Sequence, residues 1–300
     1  MNHRDPVTFG TTDASVSRAM WTRFEPIHAV SYFAPHTAAS FARSGVTGFW
    51  RSYFAGRASP LGRAGAQLVH AVFHSFAFPM VERAVPSVWN LIEPTQAWDI
   101  RQTSAGTSIG DCLDELSADE VDWIADELST VVERLDPAGR PLFAAHLATP
   151  SPSPTTAAAA IWRSCTLLRE HRGDTYVAAA TSAGWRPLDL LVFAECLGSV
   201  PAGHATTNRG WTDDERSASL HRLAERALVD RDGAVTIEGR HRHRTLEAAT
   251  DDVTSATWTL MEPAALERLS AGLTHIAGQI TRRGWVTYPN AIGVPPPPRR

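Results

Sequence analysis

The stretch that decides the fold is Trp211–Arg244, WTDDERSASLHRLAERALVDRDGAVTIEGRHRHR. Thr212, followed three residues later by Glu215, is typical of a capping box, and leucines and alanines recur behind it at helical spacing. Asp232-Gly233 is typical of a hairpin turn, and Thr236 can cap a second helix. Helix, short hairpin and helix in this order predict the closing half of a winged helix.

The helix that would enter DNA in such a fold begins with three carboxylates, Asp213, Asp214 and Glu215. Residues 212–230 carry three arginines against five acidic residues. A recognition helix works in the major groove among phosphates, which repel carboxylates. We therefore predict that the chain does not bind DNA sequence-specifically, although its fold is one that often does.

Composition excludes several classes of protein. The chain has 300 residues, 43% of them hydrophobic and 20% charged, as in a globular protein. Its net charge of −4 gives no basic footprint for nucleic acid. Lysine is absent, so no lysine can act as a Schiff base or general base. Three cysteines without C-x-x-C spacing and no long apolar run favour a cytoplasmic protein that is neither exported nor inserted in a membrane.

Alternating prolines at 149–156 predict an extended linker near the middle of the chain. Ser117 and Glu120 predict a second capping box before an amphipathic helix, and a closing helix is expected over about 263–281. The predicted organisation is a flexible leader (1–16), an N-terminal winged-helix-like unit (17–148), the Pro/Ser/Thr linker (149–156), a C-terminal winged-helix unit with the closing helix (157–294) and a Pro-rich tail (295–300).

A weak internal repeat crosses this linker, because residues 44–57 resemble residues 182–195. Chance similarity in a chain rich in alanine and arginine is the alternative. If the repeat is real, residues of about 40–90 and 178–230 superpose. The fold predicted is then mainly α, with tandem winged-helix-like (MarR-like) units and a short β-hairpin wing. A cleft between two such units is a common place for a small-molecule site.

Six segments together resemble the actinobacterial SalTA-type helix-turn-helix family over almost the whole chain. The segments are Trp21–His28, Tyr32–Pro35, Tyr53–Gly62, Leu168–Asp174, Gly210–Glu215 and Tyr288–Gly293. The resemblance implies architecture and lineage and no particular activity. Where the family pattern has Gly-His after Arg-Gly-Asp, this chain has Thr175-Tyr176, which removes a potential ligand or proton carrier and indicates a diverged role.

The predicted catalytic residues come from two polar groups. His171, Arg172 and Asp174 surround Gly173, which we expect to end one helix in a left-handed cap while Asp174 caps the next. A histidine beside an aspartate can act as an oriented base. Glu25 and His28 lie one helical turn apart, a spacing used in acid–base pairs and in metal sites of helical bundles; the alternative is a carboxylate that stabilises a helix start.

The predicted ligand-binding residues centre on Arg57, which follows bulky aromatic residues. An arginine in apolar surroundings needs an anion, either an internal carboxylate or a bound ligand, and both alternatives stay open. Trp50, Tyr53, Phe54 and Trp211 would supply apolar walls. We expect these residues and the His171–Asp174 turn to line one pocket between the units.

Other histidines carry weaker signals. His70 and His74 have the spacing of a metal-binding pair and lie among aromatic residues, but like His28 they lack completing ligands for a metal or a haem. We therefore predict no metal site, and no cofactor can be named. The basic run Arg240–Arg244 is flanked by acidic residues and is interpreted as a solvated helix face.

No nucleotide loop, zincin pair or nucleophile elbow is present in the sequence. The function predicted is a cytoplasmic small-molecule-binding protein on a repurposed winged-helix scaffold. Its sharper form is an enzyme of actinobacterial specialised metabolism whose reaction class is unknown. The alternatives are a MarR-like transcriptional regulator that senses a metabolite and a structural partner protein. The expected partner is a small-molecule ligand, with a homodimer allowed.

Overall fold

The computed structural model describes residues 13–151 and 155–298, of which the side chains of 13 and 14 are left aside. This part of the chain is mainly helical. In chain order its α-helices are α1 Asp13–Phe33, α2 Pro35–Arg43, α3 Phe49–Ala58, α4 Ala66–Phe73, α5 Phe78–Ala84, α6 Pro94–Gly110, α7 Ala118–Glu133, α8 Pro141–Ala148, α9 Ala157–Ser182, α10 Pro187–Leu197, α11 His204–Arg209, α12 Asp213–Glu225, α13 Ile237–Thr259 and α14 Pro263–Arg282. Two short 3-10 turns cover Ser59–Leu61 and Ser87–Asn90.

Two long helices, α1 and α9, organise the larger of two hydrophobic clusters. Helix α1 packs against α9, α13, α14 and α6, and α9 also packs against α6, α7 and α8. Buried residues such as Phe24 and Ile27 of α1 and Ile161 and Trp162 of α9 belong to the same cluster. Burial of this apolar surface, rather than helix propensity, holds such helices in place.

The smaller cluster joins the end of α9 to α10, α11, α12 and the start of α13. Its buried members include Trp185, Phe193, Leu223, Leu228 and Leu246. The residues predicted to form the recognition helix therefore pack on a core separate from that of α1. The capping box at Thr212 and Glu215 is present as predicted, and Thr236 caps α13 by accepting from the Gly239 N–H.

The predicted β-hairpin wing is reduced to one antiparallel bridge between Val229 and Val235. The described residues contain no strand of regular length. The turn between the bridge residues is closed locally, because the Asp230 carboxylate accepts from two backbone N–H groups and Gly233 has a φ of +82°. The chain then returns to the start of α13, where a Cβ on Gly239 would lie 2.1 Å from the Leu228 carbonyl oxygen.

The larger cluster includes residues from both sides of the predicted linker, such as Leu142 and Ile161, so the hydrophobic core runs across 149–156. Residues 152–154 lie outside the described residues. Residues 1–12 of the predicted leader also lie outside them, and its last four residues, 13–16, belong to α1. Pro295–Pro298 of the predicted tail are described, and Arg299 and Arg300 are not. The division into two units stays a prediction.

Helix α9 corrects the predicted cap at Gly173, because the helix continues through this residue to Ser182. It ends instead at Gly184, which has a φ of +72°. An interior glycine costs a helix about 1 kcal/mol relative to alanine, less than burial of the neighbouring apolar side chains contributes. Leu167 and Leu168, both buried, provide that burial just before Gly173.

The two segments of the predicted repeat have a similar order of helices. Residues 40–90 contain the end of α2 followed by α3, α4 and α5, and residues 178–230 contain the end of α9 followed by α10, α11 and α12. A similar order of helices does not by itself show that the two segments superpose. The repeat and the tandem arrangement therefore stay predictions.

Candidate functional site

A cavity of about 760 Å³ lies between α1, α9, α13, the loop after α10 and the C-terminal segment 288–296. Its volume is within the range of small-molecule sites. Three of the segments quoted for the family resemblance contribute to it, from 21–28, 168–174 and 288–293. The lining residues that carry charge or an aromatic ring are Arg18, Trp21, Glu25, Arg169, Arg172, Tyr176, His243, Glu247 and Tyr288.

Helical spacing explains why α1 and α9 each present one face to this cavity. Residues 18, 21 and 25 of α1, and residues 169, 172, 173 and 176 of α9, recur at intervals of three or four. The Glu25 carboxylate connects the two helices, because it accepts from Trp21 Nε1 at 3.1 Å and from Arg169 Nε at 3.4 Å.

A second group of charges joins α1 and α9 to α13. Arg18 donates to Asp251 from Nε at 3.0 Å and also pairs with Glu247, while Arg172 Nη2 lies 2.7 Å from Asp251 Oδ1. The two guanidinium groups each lie 5.2 Å from the Trp21 ring centroid. This part of the cavity wall is therefore a closed set of paired charges around an indole ring.

A buried ion pair behind α9 identifies the partner of Arg57, which the sequence alone did not decide. Arg57 donates from Nε and Nη2 to the two Glu170 oxygens at 3.1 and 3.0 Å, and from Nη1 to the Tyr53 hydroxyl at 3.0 Å. Arg169 Nη1 donates to the same carboxylate at 2.7 Å. Burial alone would raise the pKa of Glu170, but Arg169 and Arg57 outweigh it and hold the pKa well below its usual value.

Arg57 thus has an internal carboxylate as its partner and does not line the large cavity. Its side chain is buried beside the Phe73 ring, 4.2 Å from the centroid. This placement corrects the expectation of a pocket lined by Arg57. Arg57 reaches the cavity only indirectly, through the Glu170 carboxylate that it shares with Arg169.

The buried interior also holds Arg101, which is fully buried and forms no hydrogen bond or ion pair with a carboxylate of the described residues. It donates to the Tyr32 hydroxyl at 2.7 Å and to His146 Nε2 at 3.0 Å. Burial lowers the pKa of Arg101 and brings the pKa of His146 to about 3, so the imidazole is neutral at pH 7.

The predicted catalytic group 171–174 is split by its position inside a helix. Arg172 and Gly173 face the cavity, whereas His171 packs edge-on against Phe143 at 5.2 Å, and burial brings its pKa to about 4. Asp174 accepts from the Phe143 N–H at 2.9 Å and so caps α8 rather than a following helix. Residues spaced around a helix point in different directions, so only two of the four line this cavity.

The predicted pair Glu25 and His28 separates in the same way. Glu25 faces the cavity, while His28 is fully buried and hydrogen-bonded through Nδ1 to Thr166 Oγ1 at 3.0 Å. Burial and, after it, the charge of Arg101 lower the pKa of His28 well below its usual value. The two side chains therefore do not form an acid–base pair in this structure.

The predicted aromatic walls form an aromatic cluster apart from the large cavity. Tyr53 and Phe54 contact Phe73 and Phe76, and Trp50 packs edge-on against Phe76 at 5.6 Å. Tyr53 lines a smaller pocket of about 270 Å³ between α1, α2 and α3. Trp211 donates from Nε1 to the Ser75 carbonyl at 3.0 Å and so ties the start of α12 to the loop after α4.

Two cavity residues, His243 and Glu247, were missed because the basic run was interpreted as a solvated face. His243 stacks on Phe193 at 5.5 Å, and its Nε2 lies 3.7 Å from a Glu247 oxygen. Burial, followed by the charge of Arg18, lowers the pKa of His243. Leu246 and Thr250 lie on the same inward side of α13, and their helical spacing was the signal that could have identified His243.

Among the described residues no group of three or more His, Cys, Asp or Glu side chains could hold a metal ion. His70 packs edge-on against Phe78 at 5.6 Å, and His74 ends α4 with a φ of +58°. The prediction of no metal site stays a prediction. No helix of the described residues is both long and apolar enough to span a membrane.

The two arginines of α12 point inward, toward α10. Arg216 donates from Nε to the Glu195 carboxylate at 2.7 Å, and Arg222 donates from Nε to Asp189 at 3.1 Å. Arg226 lies 5.4 Å from the Trp185 ring centroid. The side chains left exposed at the start of α12 are Asp213, Asp214 and Glu215.

The succession of α10, α11 and α12 around the smaller cluster defines a helical protein of the helix-turn-helix class. A family described as a helix-turn-helix family matches residues 17–287. The chain belongs to this family. Comparison with curated proteins and with solved structures gave no match.

Proposed function

We propose that this protein binds a small molecule in the 760 Å³ cavity and that its helix-turn-helix part forms one wall of the site. The cavity itself is the observation that carries this proposal. It combines flat apolar surfaces from Trp21, Tyr176 and Tyr288 with charged groups of α1, α9 and α13. An apolar pocket with a few convergent polar groups is the usual form of a ligand site.

The more specific form of this proposal is an enzyme of actinobacterial specialised metabolism, for which the SalTA-type resemblance bears on lineage alone. His243 supports it, because a half-buried imidazole with a lowered pKa is neutral at pH 7 and can accept a proton. Glu247 beside it can orient the ring and stabilise the imidazolium that forms. These two residues replace His171 and His28 as the proposed acid–base groups.

Loss of sequence-specific DNA binding is part of the same proposal. The two arginines of α12, Arg216 and Arg222, pair with Glu195 and Asp189, and Arg226, which follows the helix, lies against the Trp185 ring, so they are not presented to phosphates. The exposed carboxylates at the start of α12 would be repelled by DNA.

Two measurements test these statements separately. Native mass spectrometry of protein purified without ligand removal should show a bound small molecule that is lost on denaturation. Fluorescence anisotropy with the upstream DNA of its own gene should show no sequence-selective binding below micromolar concentration at physiological salt. Empty protein with selective DNA binding would reverse the proposal.

The alternative function, a MarR-like regulator that senses a metabolite, is favoured by one observation. Arg231, Arg240 and Arg244 are exposed around the turn after α12, where a wing contacts the DNA backbone. If anisotropy detects DNA binding, substitution of these arginines by glutamine should weaken binding equally for all DNA sequences. Substitution of a residue that contacts bases would instead change the preference among DNA sequences.

The remaining parts of the proposal concern surroundings and assembly. All three cysteines are unpaired, which fits a reducing cytoplasm. A tandem winged-helix arrangement and a homodimer are proposed with the regulator as well as with the enzyme. Light scattering at micromolar concentration measures the mass of the assembly and tests the dimer directly.

A further inference from the structure

Gly173 occupies a position where nothing in the fold requires glycine. It lies inside α9, its φ is not positive, and the nearest heavy atom to an added Cβ would be Arg169 Nη1 at 3.4 Å, an ordinary contact. Glycine inside a helix is destabilising relative to alanine. Because Gly173 lines the cavity, the side chain it lacks leaves open the wall in front of Arg169 and Glu170.

The group next to this opening is a partly satisfied guanidinium. Arg169 uses Nε for Glu25 and Nη1 for Glu170, and its Nη2 forms no hydrogen bond within the described residues. Its side chain is 22% exposed, whereas that of Glu170 is fully buried. The opening therefore presents hydrogen-bond donors of a cation, and the Glu170 carboxylate behind it is not exposed.

The charges behind this wall leave an excess of positive charge. Four guanidinium groups, of Arg57, Arg101, Arg169 and Arg209, are accompanied by three carboxylates, of Glu25, Glu170 and Asp174. The histidines within this group are neutral at pH 7 because burial lowers their pKa. A cation in excess in a poorly solvated interior is stabilised by an anion placed beside it.

The fourth arginine of this group, Arg209, is also buried. It lies over the Phe76 ring at 4.7 Å and donates to backbone carbonyls, with no carboxylate partner in the described residues. Burial lowers the pKa of Arg209 to about 10, so it stays charged at pH 7.

Other surfaces of the same cavity are flat and apolar. Tyr176, Tyr288, Pro201 and Pro289 line it together with the indole of Trp21. Rings of this kind pack best on planar partners. The volume of the cavity leaves room for one or two fused rings with substituents.

We infer that the ligand is an aromatic monocarboxylate whose carboxylate is bound by Arg169 at the opening over Gly173. This inference rests on the proposed small-molecule function and specifies its ligand class. Arg169 supplies a charge-assisted hydrogen bond from Nη2, and Trp21 and Tyr176 supply the apolar surface for the ring.

Calorimetry with two probes of similar shape tests the charge. Indole-3-acetate carries the carboxylate, and indole-3-acetamide replaces it with a neutral amide. The acetate should bind the wild-type protein at least tenfold more tightly than the amide at equal ionic strength. Gly173→Ala should weaken binding of the acetate at least fivefold, and Gly173→Leu should abolish it.

Gly278→Ala is the matched control, because Gly278 is also a half-buried glycine inside a long helix, with Arg282 Nη1 3.8 Å from an added Cβ, but outside the cavity. Both alanine variants should melt at or above the wild-type temperature. Only the variant at 173 should lose binding.

Several results would overturn the inference. Equal or tighter binding of the amide would exclude an anionic ligand and leave the cavity as a site for neutral molecules. Full acetate binding by Gly173→Ala would place the carboxylate elsewhere. Failure of both probes would overturn the ligand class, and a co-purified molecule seen by native mass spectrometry would then still support the proposed function.

Discussion

Replacement of Glu170 by glutamine should be among the most damaging isosteric changes in this protein. The change removes the charge of a fully buried carboxylate that accepts from Arg57 at 3.1 and 3.0 Å and from Arg169 at 2.7 Å. At an effective dielectric constant of about 20, each guanidinium at about 4 Å attracts the carboxylate by about 4 kcal/mol. Desolvation of the carboxylate offsets several kcal/mol of this, and loss of one member of a buried pair typically costs about 3 to 5 kcal/mol.

The assay is urea unfolding at pH 7, followed by tryptophan fluorescence. Glu93→Gln is the control, because Glu93 pairs with Arg63 on the surface, where both side chains are more than half exposed. Such a pair contributes about 1 kcal/mol or less. Glu170→Gln should therefore lower the free energy of unfolding several times more than Glu93→Gln.

The pH dependence of this difference follows from the direction of the pKa shift. The pKa of Glu170 is lower in the folded state than its usual value of 4.5, so its contribution to stability is complete above that value and is lost as the pH falls toward the folded pKa. The difference between wild type and Glu170→Gln should be constant from pH 6 to 8 and shrink below about pH 4. Equal losses for Glu170→Gln and Glu93→Gln at pH 7 would refute the reasoning.

Three further predictions concern single positions. Asp174→Asn should stabilise the protein at pH 8 by about 1 to 3 kcal/mol and have little effect near pH 4. Burial raises the pKa of Asp174 to about 6, so ionisation of this carboxyl between about pH 4 and 6 costs the folded state stability. Urea unfolding at both pH values measures this, and a loss of stability at pH 8 would contradict it. Gly239→Ala should lower the melting temperature by several degrees, because its Cβ would lie 2.1 Å from a backbone oxygen, whereas Gly278→Ala should not. Elemental analysis of fresh protein should find less than 0.1 equivalent of zinc, and one equivalent would bring His70 and His74 back as candidate ligands.

Local signals in the sequence predicted several helix boundaries, although not the end of α9. The capping box at Thr212 and Glu215, the cap at Thr236 and the closing helix over about 263–281 depend on neighbouring residues, and the structure has them at the predicted places. Capping hydrogen bonds span only three residues, so the sequence contains nearly all the information they require. The wing depended on pairing between segments, and only one bridge of it is present.

The site was harder to predict because its contacts span most of the chain. Arg18 and Asp251 are 233 positions apart, and Arg57 and Glu170 are 113 positions apart. The predicted residues that do face the cavity, Glu25 and Arg172, were chosen for chemistry, and their neighbours His28 and His171 were chosen on the same grounds but face elsewhere. The direction in which each side chain points from its helix decides whether it faces the cavity. For α9 this direction could not be predicted correctly, because the helix was expected to end at Gly173.

The inward arginines of α12 connect the proposed loss of DNA binding to the cavity. Glu195 and Asp189 lie on α10, the helix that also brings Ala194 to the cavity wall, and they hold Arg216 and Arg222 against it. A helix that reads DNA needs its arginines free to reach phosphates and bases, whereas a cavity wall needs its helices held rigidly together. Under the proposed function, the same ion pairs would hold the cavity wall and keep these arginines from DNA. Under this proposal, a variant that gains DNA binding would have to break the α10–α12 pairs, and any variant that did so should also loosen the cavity.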